Sequence, residues 1–211
     1  MKITALRPQK RSKKRLAVFV DGGFAFSLDR TTVKQFRLKP GCPVDPELLA
    51  DIVLNEQLRH CREYALLLLS YRARSEKELK DRLNKKGYTP EVIDAVMTEL
   101  KRQGLVDDRK LAERYVGDRI TIGHKGKKMV RAELLKMGVA KEEINRALAK
   151  APDETEAAMM VVEHFLPRYR KLDARTRARR LWGVLARRGF AADTIATVMK
   201  ELGAEPLDVT E

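Results

Sequence analysis

From about residue 50 onward, this 211-residue chain consists of three copies of one unit of 51 residues. One glycine and five apolar positions recur at this spacing without any gap. The columns are Gly87, Gly138, Gly189; Leu83, Leu134, Leu185; Ile93, Ile144, Ile195; Tyr88, Val139, Phe190; Leu79, Val130, Leu181; and Val96, Ala147, Val198. Apolar positions three or four residues apart mark the inward stripe of an α-helix. A repeat this short barely closes its own core, so the pattern predicts helical units that stack on their neighbours.

Capping signals divide each unit into three helices. Asp45-Pro46-Glu47 has the order of an N-cap, a first-turn proline and an acid, and Ser75 with Glu78 forms a capping box. The repeated glycines follow runs of helix formers, where a left-handed C′ residue is wanted. The predicted helices span about 54–71, 76–86 and 90–103; 108–121, 127–137 and 141–149; and 154–169, 174–188 and 192–202.

The first forty residues have a different period. Ile3–Arg7, Leu16–Val20 and Phe24–Leu28 are β-prone runs, and Asp21-Gly22-Gly23 between the last two is a hairpin signal. The predicted strands one and two are joined by a basic segment that a nucleic-acid groove could accept, although a solvated loop explains it equally well. Its cations are Lys10, Arg11, Lys13, Lys14 and Arg15.

The sequence therefore predicts a mainly α fold of tandem three-helix repeats in an elongated, curved array, preceded by a small antiparallel β-hairpin element. The predicted segments are a β element with its basic loop at 1–44, repeats at 45–104, 105–152 and 153–203, and a tail at 204–211. Cys42 and Cys61 have neither disulfide-framework nor zinc-site spacing. Without an apolar run long enough for export or membrane insertion, a cytoplasmic protein is expected.

Positive charge favours a polyanionic partner over a membrane or a small-molecule substrate. The formal net charge is +14, and nine basic residues against one acid lie between Arg168 and Arg188. A field of this sign attracts nucleic acid and speeds encounter with it, although a solvated helix face is the plainer explanation.

Two basic clusters are candidate binding residues. The first surrounds the predicted start of a helix, where glycines allow close backbone approach and free N–H groups could bind a phosphate. In the second, Arg177, Arg180 and Arg187 share one face of a predicted helix, and arginine suits bidentate contacts with phosphate or carboxylate. The first comprises Lys125, Lys127, Lys128 and Arg131; the second comprises Arg175, Arg177, Arg179, Arg180, Arg187 and Arg188.

Trp182 is the one tryptophan of the chain, and its repeat equivalents are Lys80 and Arg131. That register predicts an outward position, from which an indole could stack on a base or fill a partner's pocket. A role in sealing the end of the last repeat is at least as good an explanation.

Catalysis is not expected. His60, His124 and His164 have no metal-type spacing, and P-loop, nucleophile-elbow and dinucleotide motifs are absent. The sequence therefore predicts no catalytic residue, no metal site and no cofactor.

Several spaced motifs resemble the RecX family of recombination regulators. They are Ser75-x-x-Glu78-Leu79-x-x-Arg82-Leu83-x-x-Lys86-Gly87-Tyr88; Gly104-Leu105-Val106-Asp107-Asp108; Arg114-Tyr115-Val116-x-x-Arg119; and Lys125-Gly126 followed by Arg131-x-Glu133-Leu134-x-x-Met137-Gly138-Val139. The resemblance covers about residues 58–202. It implies a tandem three-helix protein that associates with the RecA recombinase and with single- and double-stranded DNA, lodges in the groove of the RecA filament and alters its growth, usually as an inhibitor.

Two other functions remain open from the residues alone. A stand-alone helix-turn-helix DNA-binding regulator would use one recognition helix and a preferred duplex sequence. A helical protein scaffold would carry its basic surface incidentally. Salt dependence separates them, because phosphate contacts weaken steeply with ionic strength.

Overall fold

The computed structural model describes residues 1–9 and 12–203, and this part of the chain is mostly helical. Its strands are β1 (Ile3–Gln9), β2 (Ser12–Val20) and β3 (Gly23–Asp29). Its helices are α1 (Arg30–Gln35), α2 (Pro46–Tyr71), α3 (Glu76–Lys86), α4 (Pro90–Arg102), α5 (Asp108–Thr121), α6 (Lys127–Met137), α7 (Lys141–Ala149), α8 (Thr155–Phe165), α9 (Ala174–Arg187) and α10 (Ala192–Glu201), with a 3-10 turn at Leu166–Tyr169. The predicted tail, 204–211, lies outside the described residues.

The chain divides into two compact units. Unit 1 comprises Met1–Arg72 and Leu79–Leu105, and unit 2 comprises Ala73–Glu78 and the chain from Val106 onward. Within the described residues, no helix has both the length and the apolar character needed to cross a bilayer.

The five apolar 51-residue columns are confirmed as core positions of the helices. Leu83, Leu134 and Leu185 are each fully buried, and the isoleucine column at 93, 144 and 195 is at most 5% exposed. The other apolar columns are buried as well, apart from the half-buried Tyr88, whereas in the glycine column Gly87 is exposed and Gly138 is half-buried. The repeat is therefore a pattern of packing, as its helical spacing predicts.

Most helix boundaries follow the capping signals. The Ser75 hydroxyl accepts a hydrogen bond from the Glu78 N–H at 3.1 Å, and the Glu78 carboxylate accepts one from the Ser75 N–H at 3.4 Å. Asp107 caps α5 by accepting from the Lys110 N–H at 3.0 Å. The predicted helix 154–169 is shorter in the structure because Pro167 falls near Phe165, where α8 gives way to the 3-10 turn.

The helix predicted at 54–71 begins eight residues earlier, at Pro46. Asp45 is its N-cap and accepts from the Glu47 N–H at 3.4 Å. The additional turns bury Leu49 and Ile52 against the apolar core of the β element. The helix has 26 residues and starts where the Asp45-Pro46-Glu47 signal indicates.

The amino-terminal β element is confirmed as antiparallel, with strand order β1-β2-β3. Strand β2 begins at Ser12, so Lys14 and Arg15 lie in a strand, and their predicted place in a loop between strands is wrong. Arg15 donates a hydrogen bond to the Ser27 carbonyl at 3.0 Å, which explains why this cation sits in the sheet. Lys10 and Arg11 lie outside the described residues, as does the side chain of Lys13.

Candidate nucleic-acid interface

In unit 2, the start of α6 lies directly against the end of α9. The Gly126 N–H donates to the Arg188 carbonyl at 2.9 Å, and the Lys128 N–H donates to the Gly189 carbonyl at 3.1 Å. A Cβ at position 126 would lie 2.1 Å from the Phe190 nitrogen. Gly126 therefore allows close approach to another segment of backbone, and this approach joins the second and third repeats.

Glu154 completes this junction. Its carboxylate is almost fully buried and accepts hydrogen bonds from the Lys127 N–H at 2.6 Å, the Ala191 N–H at 3.2 Å and the Thr194 hydroxyl at 3.1 Å. One carboxylate therefore serves the positive ends of α6 and α10. The prediction that free N–H groups at the start of α6 bind a phosphate is wrong, because protein oxygens already accept from them.

A similar junction occurs 51 residues earlier, also within unit 2. The Ser75 hydroxyl donates to the Met137 carbonyl at 2.5 Å, as the Gly126 N–H does to the Arg188 carbonyl. The Glu76 N–H donates to the Asp108 carboxylate at 2.8 Å, as the Lys127 N–H does to Glu154. The backbone positions in these contacts are 51 residues apart, whereas Asp108 lies 46 residues before Glu154, so consecutive repeats join at equivalent positions with carboxylates from different positions of the repeat.

The cations of the first predicted cluster differ in their surroundings. Lys125 forms an ion pair with Glu133 at 2.5 Å, and Arg131 donates to the Asn145 side chain at 2.6 Å. Burial acts to raise the pKa of Glu133, but hydrogen bonds from Lys125 and Tyr115 outweigh it and lower this pKa below its ordinary value. Lys128 is exposed and Lys127 is half-buried. The charge of Lys125 is consequently used within the fold.

The second predicted cluster borders an open groove of about 400 Å³ on α9. Its lining residues are Tyr169, Thr176, Arg179, Arg180, Gly183 and Arg187. Arg175 is exposed on the same helix, whereas Arg177 is half-buried and is not part of the lining, although helical spacing predicts that it shares this face. The groove therefore presents three guanidinium groups beside one phenol ring.

A second groove of about 550 Å³ adjoins the first and shares Tyr169 and Arg180 with it. Arg168, Arg170 and Lys171 contribute further cations to its lining. The Arg180 guanidinium lies 5.9 Å from the centre of the Tyr169 ring, within the range of a cation–π contact. We call the residues that line the two grooves the arginine surface.

The cations of the arginine surface have no acidic partner within the described part of the chain. Among the residues that the structure describes, no basic side chain between Arg168 and Arg188 forms an ion pair, whereas elsewhere in unit 2 Arg114, Arg146 and Lys150 each lie within 4 Å of a carboxylate. Unpaired arginines keep their donors available for phosphate or carboxylate groups from outside the chain.

The loop before α6 lies beside the end of α9. The Arg188 guanidinium donates to the His124 carbonyl at 3.4 Å and also lies 5.9 Å from the centre of the Phe165 ring. The structure thus brings the start of α6, which carries Lys127 and Lys128, and the loop before it next to Arg188, within one unit.

Trp182 is half-buried and packs against the apolar core of unit 2. This packing favours the explanation in which the indole seals the last repeat, whereas a role for Trp182 in binding a base or a partner's pocket stays a prediction.

Unit 1 contains an ionic cluster that the sequence does not reveal. Ligand atoms of Asp29, Glu56 and His60 lie within 4.8 Å of one another, a grouping that could hold a metal ion. Arg59 already compensates the acids, since its guanidinium lies 2.6 Å from Asp29 and 3.5 Å from Glu56. The hydrogen bond with Asp29 raises the pKa of Arg59 against the opposing effect of burial. The cluster ties β3 to α2, and nothing in the spacing of its residues indicates this.

Four family models match successive parts of this chain, together covering most of its length. They describe the RecX regulatory protein's N-terminal domain and its first, second and third three-helix domains, matched to residues 1–45, 61–100, 107–148 and 152–199 respectively. The chain belongs to the RecX family.

Curated relatives agree with this membership over nearly the whole chain. The RecX regulatory protein of Bacillus subtilis strain 168 is 32% identical over 211 residues, which are 99% of this chain and 80% of the relative. That of Geobacillus sp. strain WCH70 is 34% identical, with coverage of 93% and 75% respectively.

Solved RecX structures have the same fold. A crystal structure of regulatory protein RecX has a TM-score of 0.67 at 28% identity and covers 94% of this chain and 98% of its own. RecX from Lactobacillus salivarius has a TM-score of 0.66 at 26% identity, covering 71% of this chain and 98% of its own. The RecX assignment makes this chain one of a family of regulatory proteins.

Proposed function

We propose that this RecX-family chain regulates homologous recombination and DNA repair by binding the RecA–DNA filament and modulating RecA activity, with inhibition as the expected sign. It acts in the cytoplasm by binding alone, without a catalytic residue, a metal ion or a cofactor. The observation that carries the proposal is the arginine surface, whose cations have no acidic partner among the described residues.

Arginines without an acidic partner in the described chain can bind either component of such a filament, the DNA or the RecA protein. A guanidinium group binds a phosphate oxygen pair or a carboxylate in the same bidentate geometry. DNA backbone and acidic side chains of a protein are therefore both acceptable partners for Arg179, Arg180 and Arg187. Lys127, Lys128 and Arg188 extend the same positive region within unit 2. The chain can therefore contact RecA and DNA together, and this bridging would alter filament growth.

The first test removes charge from the arginine surface. A variant with Arg179, Arg180 and Arg187 changed to Gln should bind single-stranded DNA more weakly and reduce the salt slope of the binding constant by roughly two, because each lost phosphate contact accounts for about 0.7. A matched control changes Arg109, Arg114 and Arg146 to Gln. These arginines already form ion pairs with carboxylates of the chain, and the control removes the same formal charge.

The second measurement is RecA-dependent ATP hydrolysis on single-stranded DNA, in the presence of each variant. The parent and the control should change the hydrolysis rate, and the arginine-surface variant should not. Equal effects of the control and the arginine-surface variant on DNA binding and on hydrolysis would refute the proposal.

A further inference from the structure

The outward face of the β sheet in unit 1 carries two phenylalanine rings. Phe24 is 61% exposed, and Phe19 is half-buried. Their ring centres are 6.0 Å apart at 75°, an edge-to-face pair. The apolar cluster beneath the sheet contains Val18 and Leu28, with Phe26 packed against it, so it uses the other face. The pair therefore forms no part of that core.

A β-bulge places Phe24 on this outward face. Val18 pairs with Phe26, but the next residue of β2, Phe19, pairs with Phe24, so β3 advances by two residues where β2 advances by one. Side chains alternate along a regular strand, and Phe24 would then lie on the core side with Phe26. A bulge re-aims a side chain in this way and is common beside binding sites.

The surroundings of the two rings are small and basic. Ala5 pairs with Phe19, and Ala17 pairs with Arg7, so short side chains flank the aromatic pair on this face. The Arg7 guanidinium lies 5.1 Å from the centre of the Phe19 ring. Residues 1–49 include eleven Lys or Arg and four Asp or Glu, which gives this part of the chain a strong positive charge.

We propose that this face binds single-stranded nucleic acid, with an unpaired base stacked on Phe24 and a neighbouring phosphate held by Arg7. Phe19 supports the exposed ring from its edge. Aromatic side chains beside cations are the usual platform for unpaired bases, because every base presents a π-face. Positive charge favours this occupant over an apolar protein surface or a second copy of the chain. The site lies in unit 1, shares no residue with the arginine surface and does not rest on the proposed function.

The test compares two exposed aromatic residues of unit 1. Phe24→Ala should weaken the binding of an unlabelled oligothymidine by about fivefold or more, because loss of one stacked base costs at least about 1 kcal/mol of binding free energy. The affinity is measured by competition fluorescence anisotropy at fixed salt. The control, Tyr71→Ala, removes a ring that is 75% exposed on α2 and should leave the affinity unchanged. Phe24→Tyr should retain the parent's affinity, because a phenol ring also stacks.

Duplex DNA supplies the second arm, because its bases are already stacked and paired. Phe24→Ala should leave duplex affinity unchanged, and its unfolding midpoint should match that of the parent. Parental affinity of this variant for oligothymidine, or an equal loss for duplex, overturns the proposal. Conversion of a parental dimer to a monomer with unchanged DNA affinity also overturns it, in favour of a second copy.

The experiments distinguish failure of the base-stacking site at Phe24 from failure of the proposed function. The effect of Phe24→Ala is also measured in the variant with Arg179, Arg180 and Arg187 changed to Gln, and the same factor should appear there. Loss of DNA binding through the arginine surface with no effect at Phe24 would leave the proposed function standing and refute only the base-stacking site.

Discussion

Gly126→Ala offers a clean test of the junction between the second and third repeats. Gly126 has φ −74° and ψ 156°, values that alanine adopts without strain. The added Cβ would nevertheless lie 2.1 to 2.2 Å from backbone atoms of Gly189 and Phe190. Neither segment is the flexible end of a side chain, so the start of α6 and the end of α9 must move apart.

The expected loss combines two contributions. Inserting one carbon into a closely packed contact costs about 1–3 kcal/mol. Separation also weakens the hydrogen bonds from Gly126 to Arg188 and from Lys128 to Gly189, each contributing about 0.5–1.5 kcal/mol. The total is about 2–6 kcal/mol, which should lower the unfolding midpoint of unit 2 by roughly 6 °C or more.

Thermal unfolding followed by Trp182 fluorescence measures this loss, because the indole packs against the core of unit 2. Gly117→Ala is the matched control, since its Cβ would meet nothing within 4 Å inside α5. Alanine is the better helix former there and should stabilise by about 0.5–1 kcal/mol. Equal midpoints for the parent and Gly126→Ala, or a gain of stability in that variant, would refute the reasoning.

Three further predictions concern unit 2. Glu154→Gln should lower the free energy of unfolding, measured by urea titration, by roughly 1–3 kcal/mol, because an amide has one oxygen in place of the two that accept hydrogen bonds at this junction. An unchanged urea midpoint would contradict this prediction. Because the pKa of Glu133 is lowered in the folded state, its contribution to stability is present above the ordinary glutamate pKa and is lost as pH falls through the folded value. The stability difference between parent and Glu133→Gln should therefore shrink on acidification from neutral pH, and a constant difference would show that the pairing with Lys125 contributes nothing. Ile144→Ala should lower the free energy of unfolding by about 2–5 kcal/mol, whereas Leu135→Ala, at an exposed position, should lower it far less. Similar losses from the two variants would show that the isoleucine column does not contribute to the core.

Helix boundaries and core positions were largely predictable from sequence because both depend on local chemistry. The capping box at Ser75, the Asp107 cap and the buried isoleucine column all lie where spacing and residue type place them. Helical periodicity brings residues three and four apart to one face, whatever the rest of the chain does. The start of α2 also follows a local signal, the Asp45 cap, whereas the burial of Leu49 and Ile52 depends on contact with the β element.

The candidate sites were less predictable, because they depend on which partners the fold supplies. The sequence by itself determined a helical repeat, a basic carboxyl-terminal segment and a β element, each a matter of periodicity or composition. Only the tertiary structure decided that Glu154 accepts a hydrogen bond from the Lys127 N–H, that Glu133 pairs with Lys125 and that no carboxylate of the described residues pairs with the cations around Tyr169. A charged side chain is available to a ligand only where no opposite charge of the same chain lies within about 4 Å. The spacing of residues along the sequence does not give these distances, because they are set by how the helices pack.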